Sequence, residues 1–194
     1  SSAASDVYKR QQKAALEGCR IFGICGGYQM LGQRLLDPDG CEHGGELAGL
    51  GLLPVTTTFG KRKHRTRVEG RVEPIEGIYQ GMSGVSAEGY EIHMGETCLL
   101  ETCGRFASVT DCVTGKQYPD GCVKGNVCGT YIHGILDAPG LLNGLLNPVF
   151  LEKGMTPGTY RDLAGYRQEQ YDILADVIRA HMDMDAVRRI IGLK

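Results

Sequence analysis

Apolar and polar positions change their period several times along this 194-residue chain, and each change marks an element. "KAALEG" (Lys13–Gly18) reads as the end of a helix closed by glycine. "CRIFGI" (Cys19–Ile24) is a short apolar run without alternation, the pattern of a strand buried in a parallel sheet. "GYQMLGQRLL" (Gly27–Leu36) sets Tyr28, Leu31 and Leu35 on one helical stripe. "LAGLGLLPVTTTF" (Leu47–Phe59) predicts a glycine turn and a strand, and "KRKHRTRVEGRVEP" (Lys61–Pro74) alternates like an exposed antiparallel strand pair. "GVSAEGYEIHMGETCLL" (Gly84–Leu100) and "GNVCGTYIHGILD" (Gly125–Asp137) are further strand regions, the second ending at a histidine. "RDLAGYRQEQYDILADVIRAHMDMDAVRRIIG" (Arg161–Gly192) is an amphipathic C-terminal helix or two, with Leu163, Tyr166, Tyr171, Leu174, Val177, Ile178 and Met182 expected to face inward. The sum is an α/β fold whose sheet is mostly parallel and flanked by helices.

Composition narrows the class. A hydrophobic fraction of 42% and a charged fraction of 23% suit an ordinary globular domain. A net charge of −2 argues against nucleic acid or an anionic membrane as partner. No apolar run approaches the roughly 20 residues that span a bilayer, and no secretory signal opens the chain. The eight cysteines form no C-x-x-C pair and no zinc-ribbon spacing, so reduced thiols, a cytoplasmic location and no metal are expected. At the start, "SSAASDVYKRQ" lacks apolar periodicity, and Asp6–Gln11 resembles the translation of a transposon end. Residues 1–11 are therefore expected to be a non-native or disordered tail, with the domain over 12–194.

Of the cysteines, Cys25 alone stands between an apolar strand and a pair of glycines. Strand, Cys25, then a helix opening at Gly26 and Gly27 is the pattern of a nucleophile elbow. Gly23 and Gly27 would let strand and helix approach, and the helix N-terminus would lower the thiol pKa. The Gly26 N–H is placed to stabilise an oxyanion.

A nucleophilic cysteine needs a base, and the chain has five histidines. His64 lies among lysines and arginines, which suggests a solvated side chain; His181 sits in the last helix and His43 in a glycine-rich loop. His133 ends an apolar strand and precedes Gly134, so it stands where catalytic groups of open parallel sheets collect. His93 competes with it. Alternation along "YEIHM" puts Glu91 and His93 together on one face, as a ligand-binding pair or as mutually satisfied neighbours.

These motifs coincide with a family. "GICGGYQMLG" resembles the G-x-C-x-G-x-Q nucleophile motif of class I, triad-type glutamine amidotransferases. More narrowly, "GLGLLPVTTTF", "GYEIHMGET", "GTYIHGILD" and "YDILADVIRAHMDMDAVRRII" resemble the glutaminase domains of cobyric acid synthases, in order, over about residues 13–194. The related a,c-diamide synthases carry a different sequence at "GYEIHMG". The resemblance implies a flavodoxin-like sheet of the class I type, and glutamine hydrolysis with Cys25 as nucleophile and His133 as base. It also implies that Gln29 positions glutamine and that Gly26 binds both substrate and oxyanion. Ammonia would pass to an ATP- and Mg2+-dependent synthetase domain of the same polypeptide, which amidates a corrinoid. The domain itself would hold no cofactor.

Two departures accompany the resemblance. The glutamate that the family often places two residues after the histidine is Ile135 here, with Asp137 four residues on, so Cys25 and His133 are treated as a pair. The chain also lacks the phosphate-binding G-x-x-x-x-G-K-S/T and the N-terminal strands that would supply a second oxyanion donor. A fragment of a longer polypeptide, weakly active or inactive alone, is the expectation. A glutaminase subunit for cell-wall lipid II amidation, or a non-catalytic docking domain, are the alternatives. The basic stretch Gly60–Arg71 is expected to be a solvated edge strand, or a surface that steers a polyanion.

Overall fold

In the computed structural model, which describes residues 2–158 and 163–192, the chain divides between residues 158 and 159 into two units. The first runs α1 (Ser2–Leu16), β1 (Ile21–Ile24), α2 (Gly26–Leu31), β2 (Arg34–Asp37), β3 (Gly45–Ala48), β4 (Val55–Val72), β5 (Ser86–Leu99), β6 (Ala107–Asp111), β7 (Gln117–Asp120), β8 (Cys122–Lys124), β9 (Val127–Thr130) and α3 (Pro139–Glu152). The second holds α4 (Leu163–His181) and α5 (Met184–Ile190). No helix among the described residues is long and apolar enough to cross a membrane.

The α/β class and the helix-flanked sheet hold, but the pairing is more antiparallel than the sequence suggests. Parallel ladders join β1 to β9 and β2 to β4; the other ladders among the described strands are antiparallel. One sheet has the order β1-β9-β8, the other β3-β2-β4-β6-β7 with β5 alongside β4. The expected exposed strand pair over Lys61–Pro74 is part of one strand, β4. It is central: β5 covers one side, while β2 and β6 take successive parts of the other. Its register against β5 shifts between Phe59 and His64, so the basic stretch contains an irregularity rather than a turn.

The helix predicted over Gly27–Leu36 stops at Leu31, and Arg34–Asp37 becomes β2. Gly32 is the reason. A Cβ there would lie 2.8 Å from the Val55 carbonyl oxygen, so β4 closes on the chain where the helix would continue. The next residue, Gln33, donates its N–H to that same carbonyl at 2.8 Å.

The sequence boundary at residues 11 and 12 falls inside α1, which crosses it without a break. In the second unit, the predicted helix start at Arg161 lies outside the described residues. Two helices form, separated where Asp183 accepts hydrogen bonds from Asp185 N–H (3.1 Å) and Ala186 N–H (2.9 Å). Tyr166, Tyr171, Leu174, Val177, Ile178 and Met182, expected to face inward, are exposed. The thiols were all expected reduced, whereas Cys103 and Cys122 form a disulfide. An isolated bridge between Gly104 and Val123 brings the two together across a separation that no local spacing reveals.

Asp120, at the end of β7, fixes the strand that carries the site. Its carboxylate accepts hydrogen bonds from the Thr130 hydroxyl and from Tyr131 N–H (3.1 Å) at the C-terminal end of β9. Burial pushes its pKa up to about 6, against the pull of those two donors. A carboxyl whose folded pKa exceeds its unfolded value stabilises the fold below the unfolded value and loses that contribution as pH rises through about 6. Between pH 5 and 7.5 the loss amounts to about 1.4 kcal/mol. Urea unfolding of Asp120→Asn is expected to remove that part of the pH dependence; a slope equal to that of the unsubstituted chain would contradict it.

Candidate active site

Cys25 is held at the mouth of the parallel pair. β1 ends at Ile24 opposite Thr130, and the Cys25 N–H extends the ladder by donating to the Thr130 carbonyl at 2.8 Å. The chain must then reverse into α2, and Cys25 takes φ 52° and ψ −111° to do so. Among the described residues it is the one non-glycine with positive φ. Such a backbone costs of order 1–3 kcal/mol and persists where its surroundings enforce it.

Gly23 is part of that enforcement. A Cβ at Gly23 would lie 2.5 Å from Leu31 Cδ1 and 2.9 Å from the Gly27 backbone, so strand and helix touch there. Gly27 was expected to be needed for the same reason, but a Cβ at Gly26 or Gly27 would meet nothing within 4 Å. Both are exposed, leaving the first turn of α2 open to an approaching molecule. Gly23→Ala should therefore cost about 1–3 kcal/mol. Gly27→Ala should be neutral, or stabilising by up to about 1 kcal/mol. Thermal melts of the two variants decide it; equal losses would contradict the assignment of the close approach to Gly23.

The electrostatics of the thiol correct the sequence reading. Burial pushes the Cys25 thiol above the usual cysteine value; the Gly26 N–H pulls it down, and the Glu91 carboxylate adds to the rise. The expected depression is present as one contribution and is outweighed by desolvation. The Cys25 thiol donates to the Ile92 carbonyl of β5 at 3.6 Å.

β5 also receives His133. Tyr90 and His133 form an isolated antiparallel bridge, with His133 N–H to Tyr90 O at 2.8 Å and Tyr90 N–H to His133 O at 3.2 Å. Their rings stack with centroids 4.9 Å apart and planes 6° from parallel. His133 Nε2 is buried and has no hydrogen-bond partner among the described residues. Cys25 and His133 are thus tied to β5 two residues apart, at Ile92 and Tyr90, without a hydrogen bond to each other. The position two residues after His133 is filled by Ile135, fully buried in the core, and Asp137 is exposed in the following 3-10 turn. Beside the Tyr90 stack, Arg65, Thr66, Arg67, Gly89, Tyr90 and Ile92 line a cleft of 460 Å³. Two residues of the basic stretch, Arg65 and Arg67, therefore line this cleft.

Gln29, 7% exposed, is held from below. Its Nε2 donates to the Tyr131 hydroxyl at 3.2 Å, and that hydroxyl lies 2.5 Å from Thr97 Oγ1, itself 2.6 Å from Thr57 Oγ1. Glu91 and His93 fall on one face as expected, with His93 Nε2 3.4 Å from Glu91 Oε2. His93 also stacks on Tyr131 at 3.8 Å. His64, read from the sequence as solvated, instead faces the same carboxylate, its Nε2 3.1 Å from Glu91 Oε2. His181 bonds the Val177 carbonyl of its own helix through Nδ1 at 2.9 Å, while His43 lines a separate cavity that Gln29 borders. Sequence reading missed Tyr90, Tyr131 and Thr97. Tyr131 stands two residues before His133 in "GTYIHG", which is the one local signal for it.

A cysteine in a strained strand-to-helix turn, with a histidine tethered to the same neighbouring strand, has the local geometry of a nucleophile elbow. A family model described as the CobB/CobQ-like glutamine amidotransferase domain matches residues 1–140, and the chain belongs to that family. The chain is 44% identical over 184 residues to the cobyric acid synthase of Ruminiclostridium cellulolyticum, covering 93% of this chain and 36% of that protein. It is 39% identical to the cobyric acid synthase of Lachnoclostridium phytofermentans, covering 92% and 37%, and 37% identical to that of Listeria monocytogenes, covering 96% and 36%. The chain thus spans little more than a third of the length of these relatives. A solved glutamine amidotransferase from Thermotoga maritima is similar with a TM-score of 0.45 at 16% identity, over 91% of this chain and 66% of that one.

Proposed function

We propose that this chain is the glutamine-hydrolysing domain of a cobyric acid synthase, working through Cys25 and His133. The observation that carries the reading is the positive φ of Cys25, because a β-substituted residue adopts it only where the turn is needed. Similarity to proteins of that name over nearly the whole chain supports the choice of pathway. In this reading Cys25 attacks the side-chain carboxamide of glutamine. His133 Nε2 takes the thiol proton and hands it to departing ammonia, leaving a γ-glutamyl thioester. It then draws a proton from the water that releases glutamate. The Gly26 N–H, which already favours the Cys25 thiolate, is the oxyanion donor. Gln29, fixed by Tyr131, orients the substrate on the other side of the nucleophile.

The thiol is raised, so little thiolate stands ready and the base is indispensable. Ammonia then serves a synthetase domain of the same polypeptide. With ATP and Mg2+, that domain amidates the b, d, e and g carboxylates of adenosylcobyrinic acid a,c-diamide in the cytoplasm. The domain described here needs no cofactor of its own for the hydrolysis.

Affinity labelling tests the site apart from the pathway. Iodoacetamide should favour the exposed thiols Cys19, Cys98 and Cys112, because Cys25 is partly buried and its thiol raised. The glutamine mimic 6-diazo-5-oxo-L-norleucine should instead modify Cys25, and glutamine should protect it. His133→Asn should slow that labelling by about 10²–10⁴-fold, with partial recovery at alkaline pH. Mass spectrometry of the peptides reads all three; indifferent labelling of several cysteines by the mimic would sink the reading.

A further inference from the structure

On the face of β4 and β5 that carries His64, Glu91 and His93, three metal-ligating side chains converge without a fixed counter-charge. Glu91 is 2% exposed, and both histidines turn Nε2 to its Oε2, at 3.1 Å for His64 and 3.4 Å for His93. The three ligand atoms lie within 4.8 Å of one another. We propose that His64, Glu91 and His93 form a zinc site that clamps β4 to β5 where their register shifts.

Several independent features favour a cation here. The other carboxylate oxygen, Glu91 Oε1, is buried with no hydrogen-bond partner among the described residues, and His64 Nε2 approaches Oε2 without hydrogen-bond geometry. A buried carboxylate left in that state is costly, and a metal ion would satisfy it. Tyr118, packed near Glu91, can offer that carboxylate one neutral donor, which does not balance its charge.

His93 is oriented as a ligand. Its Nδ1 is 2.7 Å from the Gly95 carbonyl, which can only accept, so Nδ1 carries the hydrogen and Nε2 faces Glu91. That backbone hydrogen bond on the far nitrogen is the usual second partner of a metal-binding imidazole. Two imidazole nitrogens and a carboxylate oxygen suit zinc. Metal–ligand bonds of about 2.0–2.1 Å in a tetrahedron place ligand atoms about 3.3 Å apart, close to the two separations seen here.

The path in is through His64, whose side chain is 40% exposed while that of His93 is 11% exposed. His64 is the first residue of β4 to regain its β5 partner after the shift, and that partner is His93. A metal at this point would hold the irregular segment of β4 in one register. It would also brace His93 against Tyr131, the residue whose hydroxyl receives the Gln29 amide.

The test uses the 194-residue chain with zinc or cobalt(II) alone and does not depend on the proposed hydrolysis. Calorimetry should find one tight zinc equivalent. The cobalt complex should show tetrahedral ligand-field bands without a thiolate-to-cobalt charge-transfer band. His64→Ala alters a half-exposed side chain and should fold; it and Glu91→Gln should each lower zinc affinity by about a hundredfold or more, at least what loss of an outer-shell partner costs. No tight equivalent, a thiolate band, or affinity unchanged in His64→Ala would each overturn the site.

Discussion

The parallel ladder between β1 and β9 is the constraint on which the rest of the site depends. It sets Ile24 opposite Thr130, and the next hydrogen bond, Cys25 N–H to Thr130 O, places Cys25 where the ladder ends. β1 and β9 can lie so close to α2 because Gly23 and Gly129 leave no side chain in the way; a Cβ at Gly129 would lie 2.1 Å from the Tyr28 ring. Beneath the ladder, Asp120 gathers the Thr130 hydroxyl and the Tyr131 N–H, and the Tyr79 hydroxyl donates to the Ile21 carbonyl at 2.7 Å. Both ends of the strand pair are therefore held by buried polar contacts, and the strain at Cys25 is carried by a frame that does not yield to it.

β5 supplies the complementary constraint. Its residues alternate between two tasks. Tyr90 and Ile92 use their backbones to receive His133 and the Cys25 thiol; Glu91 and His93 project to the opposite face, towards His64 and Tyr131. The period-two geometry of a strand thus sets the residues that receive Cys25 and His133 next in sequence to Glu91 and His93, with their side chains on opposite faces. The Glu91 charge still reaches Cys25 and helps to keep the thiol protonated.

Local features of the sequence were sufficient for the elbow and its neighbours. Cys25 is legible because a strained turn, a close approach at Gly23 and a helix start must all be encoded within a few residues. His133 is legible because it closes the apolar run that continues past the end of β9. What the sequence did not reveal depends on partners far along the chain. Gly32 ends α2 because of Val55, and His64 faces Glu91 because the shifted register of β4 sets it opposite His93. The direction of the Cys25 shift turns on desolvation, which only the packed structure supplies. Gly27 shows the opposite error: a motif glycine next to the nucleophile suggests crowding where the structure has open space. The inward stripe expected of the C-terminal helices was read from periodicity alone, and periodicity does not say what a helix packs against.

Central to this account is a thiol that stays neutral until a base takes its proton. The direct measurement is the pH dependence of Cys25 ionisation, read as the rate of ratiometric alkylation of its peptide from pH 6 upward. The account predicts a midpoint above that of an ordinary cysteine, with the Glu91→Gln midpoint displaced downward from it. A Cys25 midpoint below the ordinary value, unaffected by Glu91→Gln, would contradict it.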